Sequence, residues 1–248
     1  MKILLTLSIG LLLFSCAEKP LNAEEIIEAS IAFHGLDTLD HSKVQFTFRE
    51  MKFEHERDGS KFNYTRVKSD SLGNQIEDRL WNKGFERKIN DSMVDLDEKQ
   101  RISFGESVNS VHYFAFMPLR LRDKAAMKNL VGTCTIKGKE YHKIKVTFQP
   151  EGGGRDFDDV FFYYFRTENH QLDYFAYKYN TNGGGIRFRE AVNSRDQDGI
   201  QIQDYINMKP KNEAETDFSN IEESYSRGDL EELSKIEIED FQFAPVNQ

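Results

Sequence analysis

The spacing of apolar positions changes several times along the chain. Ile26, Ile27, Ala29, Ile31 and Phe33 form a helical stripe over residues 22–34. Asn22 is placed to cap that helix, Glu25 completes a capping box three residues on, and Gly35 can end it in a left-handed turn. From residue 43 the period becomes two. Val44, Phe46 and Phe48 alternate with polar residues, then Met51 and Phe53 continue on the opposite parity, which predicts a β-bulge near Arg49-Glu50. Asp58-Gly59 signals a hairpin into a strand that begins at Phe62 and Tyr64, and 76–81 pairs with 85–90 across Asn82-Lys83-Gly84.

A helical period returns with Phe104, Val108, Val111 and Ala115, closed by Pro118, and a short turn follows over 123–130. Strands are expected at 131–137 and 140–149 around Gly138, at 156–166 and 171–180, and at 186–192 and 200–208 around Asp198-Gly199. The segment 209–227 is polar and acidic and reads as a connector. One or two helical turns are expected over 228–235, and Ile236, Ile238, Phe241 and Phe243 suggest a last edge strand. The simplest architecture is a single α+β, mainly β domain, one antiparallel sheet with helices packed on one side. The domain spans 22–248, and its acidic end, 212–248, is expected to be partly mobile.

Composition sharpens this picture at one place. Ten of the aromatic residues lie between 157 and 179. Neighbours on a strand point to opposite faces, so the run from Phe161 to Phe165 loads both faces of the sheet with rings. One face can pack on the helices; the other needs a cover too. A sheet curved around a hydrophobic cavity supplies one, and a solid core is the competing reading. Phe161, Tyr163, Phe165, Tyr174, Tyr177 and Tyr179 are the candidate cavity lining.

The N-terminus carries a separate signal. Lys2 precedes an apolar run of twelve residues, 3–14, too short to span a bilayer and shaped like a secretory signal. It ends at Ser15-Cys16, as in the lipobox of bacterial lipoproteins, so residues 1–15 are expected to be a signal peptide and 16–21 a tether lipidated at Cys16. Cys134 is then the one remaining cysteine and reads as a buried, inert thiol. The net charge of −9 leaves no basic footprint for nucleic acid.

Two glycine triplets, 152–154 and 183–185, carry charges beside them. Three readings are open: salt-bridged structural loops; a hard-cation site using Glu151, Asp156, Asp158 and Asp159; or an anion clasp formed by Arg187 and Arg189. No Walker loop, nucleophile elbow or zinc spacing occurs, and no cofactor is implied.

Ala32-Phe33-His34-Gly35, residues 118–123, the run 136–146, both triplets, Asp173-Tyr174 with Ala176-Tyr177, and Asp204-Tyr205-Ile206-Asn207 resemble, together with the lipobox, a family of uncharacterised lipoproteins of Bacteroidota. The element order is more distantly similar to the LolA and LolB lipoprotein carriers, which implies a strongly curved, incomplete antiparallel barrel with a helical lid. The expected protein is an outer-membrane lipoprotein facing the periplasm, held by Cys16 and binding a lipid or acyl group, with Arg187 and Arg189 on an anionic head. A hydrolase using Glu151, Asp156 or Asp159 and a structural envelope lipoprotein are the alternatives.

Overall fold

The structure, a computed structural model, describes residues 21–151 and 157–246. The chain forms α1 (Ala23–Phe33), β1 (His41–Phe48), β2 (Met51–Asp58), β3 (Lys61–Ser69), β4 (Gln75–Trp81), β5 (Gly84–Ile89), β6 (Ser92–Met93), α2 (Glu98–Ala115), β7 (Ala126–Ile136) and β8 (Lys139–Phe148). There follow β9 (Val160–Arg166), β10 (Leu172–Tyr179), β11 (Gly185–Gln197), β12 (Ile200–Pro210), α3 (Ile221–Arg227), β13 (Leu230–Ile236) and β14 (Glu239–Pro245). Asn22 and Asp97 each build a complete capping box for α1 and α2.

The strands divide between two seven-stranded antiparallel sheets rather than one, ordered β14-β1-β2-β3-β4-β5-β6 and β13-β12-β11-β10-β9-β8-β7. The edge strands β13 and β14 follow each other in sequence, so the chain crosses from one sheet to the other at residues 237–238. Asp204 pins the crossing. Its carboxylate accepts the Ile238 backbone N–H at 3.0 Å and pairs with Arg195 at 3.1 Å. β6 and β7 lie at the far ends of this order and are not paired to each other, so the wrap is an open barrel.

Local turn chemistry explains where the observed strands depart from expectation. Arg49 (φ 49°) and Glu50 (φ 63°) form a two-residue hairpin turn between the paired residues Phe48 and Met51, not a bulge. The strand reverses there, and that reversal flips the apolar parity. β7 begins at Ala126, five residues earlier than predicted, because a register shift between Leu130 and Gly132 breaks its alternation. In the tail, Gly228 (φ 78°) ends α3, and the following segment pairs with β12 as β13; the helix predicted at 228–235 lies instead at Ile221–Arg227.

The main core lies between the sheets. It joins Ile26, Ile27 and Ile31 of α1 to Val44, Phe46 and Phe53 of the first sheet and to Tyr163, Phe165 and Phe175 of the second. Each of the three isoleucines is fully buried, a contribution of about 1.5–3 kcal/mol apiece. His34 locks the end of α1 in place. Its ring accepts the Leu172 backbone N–H at 3.3 Å, its other nitrogen lies 3.4 Å from the Gln201 carbonyl, and Gln201 N–H donates to the His34 carbonyl at 3.0 Å. Gly35 (φ 68°) must be glycine, since a Cβ would fall 2.0 Å from the Gly199 carbonyl oxygen.

A second core covers the opposite face of the second sheet. Phe162, Tyr164, Tyr174, Ala176 and Phe188 pack there beneath Phe218, Ile221, Tyr225 and Leu230. The acidic tail therefore supplies the cover for that face, and a cavity is not needed to hide those rings.

Candidate functional site

The alternation predicted for the aromatic strands is present. Phe161, Tyr163 and Phe165 of β9 share one face with Phe175 and Tyr177 of β10; Tyr163, Phe165 and Phe175 belong to the main core, and Phe161 and Tyr177 pack against it. That face has two unlike halves. In the deep half, Tyr163 and Phe165 are fully buried and Phe175 is 2% exposed; they pack among themselves and against the helices. Toward the other end, Phe161, Tyr177, Tyr179, Arg187 and Arg189 are only half-buried. Of the candidate ligand residues, the structure brings these five together at an open rim. It commits Tyr163 and Phe165 to packing and turns Tyr174 to the opposite face, 5.6 Å from the Tyr225 ring.

Register places the two arginines. Arg187 lies opposite Tyr177, and Arg189 opposite Phe175, in the β10–β11 ladder. The Arg189 guanidinium sits 5.1–5.3 Å from the rings of Phe114, Phe175 and Tyr177 and donates to the Tyr177 hydroxyl at 3.0 Å. Arg187 stacks 5.2 Å over Tyr179 and donates to its hydroxyl at 2.7 Å. Phe161 extends the aromatic wall, stacked 5.5 Å from Tyr177 and edge-on to Phe148 at 5.7 Å.

The second glycine triplet builds this corner. Gly184 (φ 76°) and Gly185 (φ 155°) turn the chain, and a Cβ on Gly185 would lie 2.8 Å from the Tyr179 hydroxyl and 3.0 Å from the Arg187 guanidinium. The glycines thus let Tyr179 and Arg187 stack against bare backbone. The first triplet and Asp156 lie outside the described residues.

Electrostatically the rim is one-sided. Neither arginine pairs with a carboxylate among the described residues, and the Arg189 Nε is buried without a partner. Tyr163 and Tyr205 lie on the core side of Arg189; burial pushes both phenols up, outweighing the opposing pull of the Arg189 charge, so they stay protonated. Asn207, opposite Arg189 on β12, buries an unpartnered carbonyl oxygen.

Three of the acidic candidates lie among the described residues. Glu151 is exposed, Asp158 accepts from Asn180 at 2.9 Å, and Asp159 is 6% exposed. Among the described residues no group of three or more His, Cys, Asp or Glu side chains is placed to hold a metal. Cys134 packs against the second core, and burial raises its thiol to about 11, so it carries no reactive thiolate at neutral pH.

Two polar clusters have no local signal in the sequence. Lys143 and Glu222, 5% and 6% exposed, form an ion pair of 2.5 Å that joins β8 to α3, and Tyr164 donates to the same carboxylate at 2.8 Å. Between the first sheet and α2, His55 of β2 and His112 of α2 are fully buried around Tyr64, with no hydrogen-bond partner for any of the four ring nitrogens among the described residues. Burial is the main reason that His55 is held well below the usual histidine range and His112 falls to about 3. Each pairing joins residues far apart in sequence, which periodicity does not register.

The family model for DUF6503, a family of unknown function, matches residues 2–238, and the chain belongs to that family. No curated protein matches it. Among solved structures, a LolA-superfamily protein from Nitrosomonas europaea is similar over 92% of this chain and 95% of its own, with TM-score 0.51 and 8% identity. A domain described as an outer membrane lipoprotein-sorting protein, from Vibrio parahaemolyticus, covers 90% of this chain and 93% of its own at TM-score 0.43 and 9% identity. A DUF1329 family protein from Desulfovibrio piger covers 89% and 92% at TM-score 0.41 and 8% identity. The first likeness shows the fold: mainly β, open, and LolA-like.

Proposed function

We propose that this protein is a membrane-anchored envelope lipoprotein that binds an amphipathic anion, a lipid or acyl group, at the rim of its inner aromatic face. One observation carries the reading: Arg187 and Arg189 lie half-buried on aromatic rings with no carboxylate among the described residues. Partly desolvated cations are costly without a counter-charge, and an anionic head supplies one. The rings of Phe161, Tyr177 and Phe148 offer the tail an apolar track. The deep half of the face is already filled, so the guest lies along the rim and does not thread through the barrel.

Anchoring belongs to the same proposal. Cys16 lies outside the described residues, and the case for its lipidation rests on the charged start, the short apolar run and the Ser15-Cys16 junction. No helix among the described residues is long and apolar enough to cross a membrane, so two acyl chains on Cys16 would provide the attachment. The proposed location is the outer membrane, facing the periplasm.

Native mass spectrometry of the protein released without detergent tests ligand capture. Co-purified lipid is expected, and it should be depleted in an Arg187→Gln/Arg189→Gln variant. Repeated spectra of the bare chain would overturn the reading. Anchoring is tested by Cys16→Ser, which should move the protein from the membrane pellet to the soluble fraction.

A further inference from the structure

We infer a second binding site, a polar groove across the outer face of the first sheet whose chemistry fits an uncharged oligosaccharide. The groove encloses about 790 Å³ and is lined mostly by outward-facing residues of β14 and β1–β5, with a share from the core residues Phe46 and Phe53 of the opposite face. That volume is within the range of small-ligand sites.

Cross-strand register lays its floor out as two transverse rows. Residues directly opposite each other on paired strands share a face. The first row runs Gln242, Gln45, Glu54, Thr65, Arg79. The second runs Thr47, Lys52, Val67, Glu77, Lys88. Every position but Val67 is polar. The register shift between Gln45 and Thr47 in the β1–β14 ladder, with Asp240 at φ 51°, kinks the edge strand. It sets Asp240 as one wall, held to Thr47 at 3.0 Å.

The charges decide the class of ligand. Lys52, Arg79 and Lys88 are matched by Glu54, Glu77 and Asp240, so the groove presents no field of one sign and does not select a polyanion or polycation. With one apolar position in its two rows, and Phe46 and Phe53 almost fully buried in the core, it offers an acyl chain little apolar surface. A peptide strand needs a free backbone edge, whereas this floor is the face of a sheet whose backbone groups are paired in ladders. What remains is dense, preset hydrogen bonding. Gln45 donates to Glu54 at 2.8 Å, and Arg79 donates to Asn63 at 2.7 Å, which holds these planar groups in fixed orientations. Lys52, Thr65 and Gln242 make no side-chain hydrogen bond or ion pair with other described residues and are open to a ligand's hydroxyls.

Trp81 completes the argument. It is the chain's one tryptophan, lies on the same face opposite Asn63, and has the Arg79 guanidinium 5.0 Å from its ring. A half-exposed ring beside polar planar groups is the arrangement that stacks on the C–H face of a pyranose while its hydroxyls are hydrogen-bonded. Strands repeat every ~4.8 Å, a spacing comparable to the rise of an extended chain of sugar rings, so each strand can address one ring.

The test uses the full chain, labelled with ¹⁵N and titrated with chitotetraose, maltohexaose and mannohexaose. Trp81 gives a single indole resonance. At least one of the three sugars should shift it saturably, together with the Thr65 amide, with a Kd of about 1 mM or tighter. Thr65→Arg, which fills the centre of the first row, should weaken that binding by about tenfold or more. Lys52→Ala, a surface change that leaves the fold intact, should weaken it measurably. A Trp81 resonance unmoved by all three sugars at about 10 mM, or a response that survives Thr65→Arg, would overturn the inference. So would a shift produced by dodecyl phosphate and not by sugar. Amphiphile binding is read separately, at the Arg187 and Arg189 side chains, so failure at one site is distinguishable from failure at the other.

Discussion

The two faces of β9–β11 are loaded with rings alike and finished differently. On the outer face the chain covers its own rings: the tail lays Phe218, Ile221 and Tyr225 over them, and Lys143 with Glu222 bolts the cover down. On the inner face the deep half is fully packed, and the rim, reached from α2 by Phe114, is left with two arginines that have no acidic partner among the described residues. The proposed guest site lies on the face where the described residues supply the cations but no counter-charge.

The largest effects should come from the finished face. Glu222→Ala leaves Lys143 buried without its counter-charge and should cost about 3–5 kcal/mol in urea unfolding. The pair Lys143→Met/Glu222→Leu should recover most of that loss, because a packed apolar pair needs no compensation. A Glu222→Ala variant as stable as the parent would show that the tail is not a fixed cover.

Within the inner face the halves should separate in the same assay. Phe165→Ala, in the closed half, should cost about 3–5 kcal/mol. Phe161→Ala, at the half-exposed rim, should cost about 1–2 kcal/mol, since less apolar area is withdrawn from water there. Equal losses would erase the distinction between packed and open halves.

Acid should reach the inner side through its histidines. Burial lowers His34 to about 4 and His112 to about 3, against 6.5 for an unconstrained histidine. The unfolded chain therefore binds protons first. The stability held by the neutral rings is complete above about pH 6.5 and is lost as pH falls toward 4 and then 3, by about 3 kcal/mol or more per ring. Unfolding free energies between pH 7 and 4 should show this decline, and His34→Gln should flatten it by one proton's worth. A flat profile in the parent protein would contradict the burial of these rings.

The legibility of this molecule follows the range of the interactions. The α1 capping box, the Asp58-Gly59 and Asp198-Gly199 turns and the glycine at the end of α1 depend on neighbours within a few residues, and each was readable from them. Arg49-Glu50 was misread because neither residue carries the glycine or asparagine that normally advertises such a turn. The tail misled because 221–236 is polar and short, so tertiary packing, not local pattern, decides which part is helix and which is strand. The aromatic run announced rings on both faces, but what covers the second face arrives from more than 50 residues downstream, as the Tyr164–Glu222 hydrogen bond illustrates. The arginine rim was legible as residue types on one strand face. That no described carboxylate reaches it was not, because which side chains meet is decided by the tertiary fold.

The central claim is tested most directly by calorimetric titration of the parent and of Arg187→Gln/Arg189→Gln with dodecyl phosphate and, in parallel, dodecanol. The parent should bind the phosphate at least about tenfold more tightly than the alcohol, and the double variant should lose that preference while keeping its affinity for the alcohol. Equal affinity of the parent for both compounds, or an undiminished preference in the variant, would contradict it.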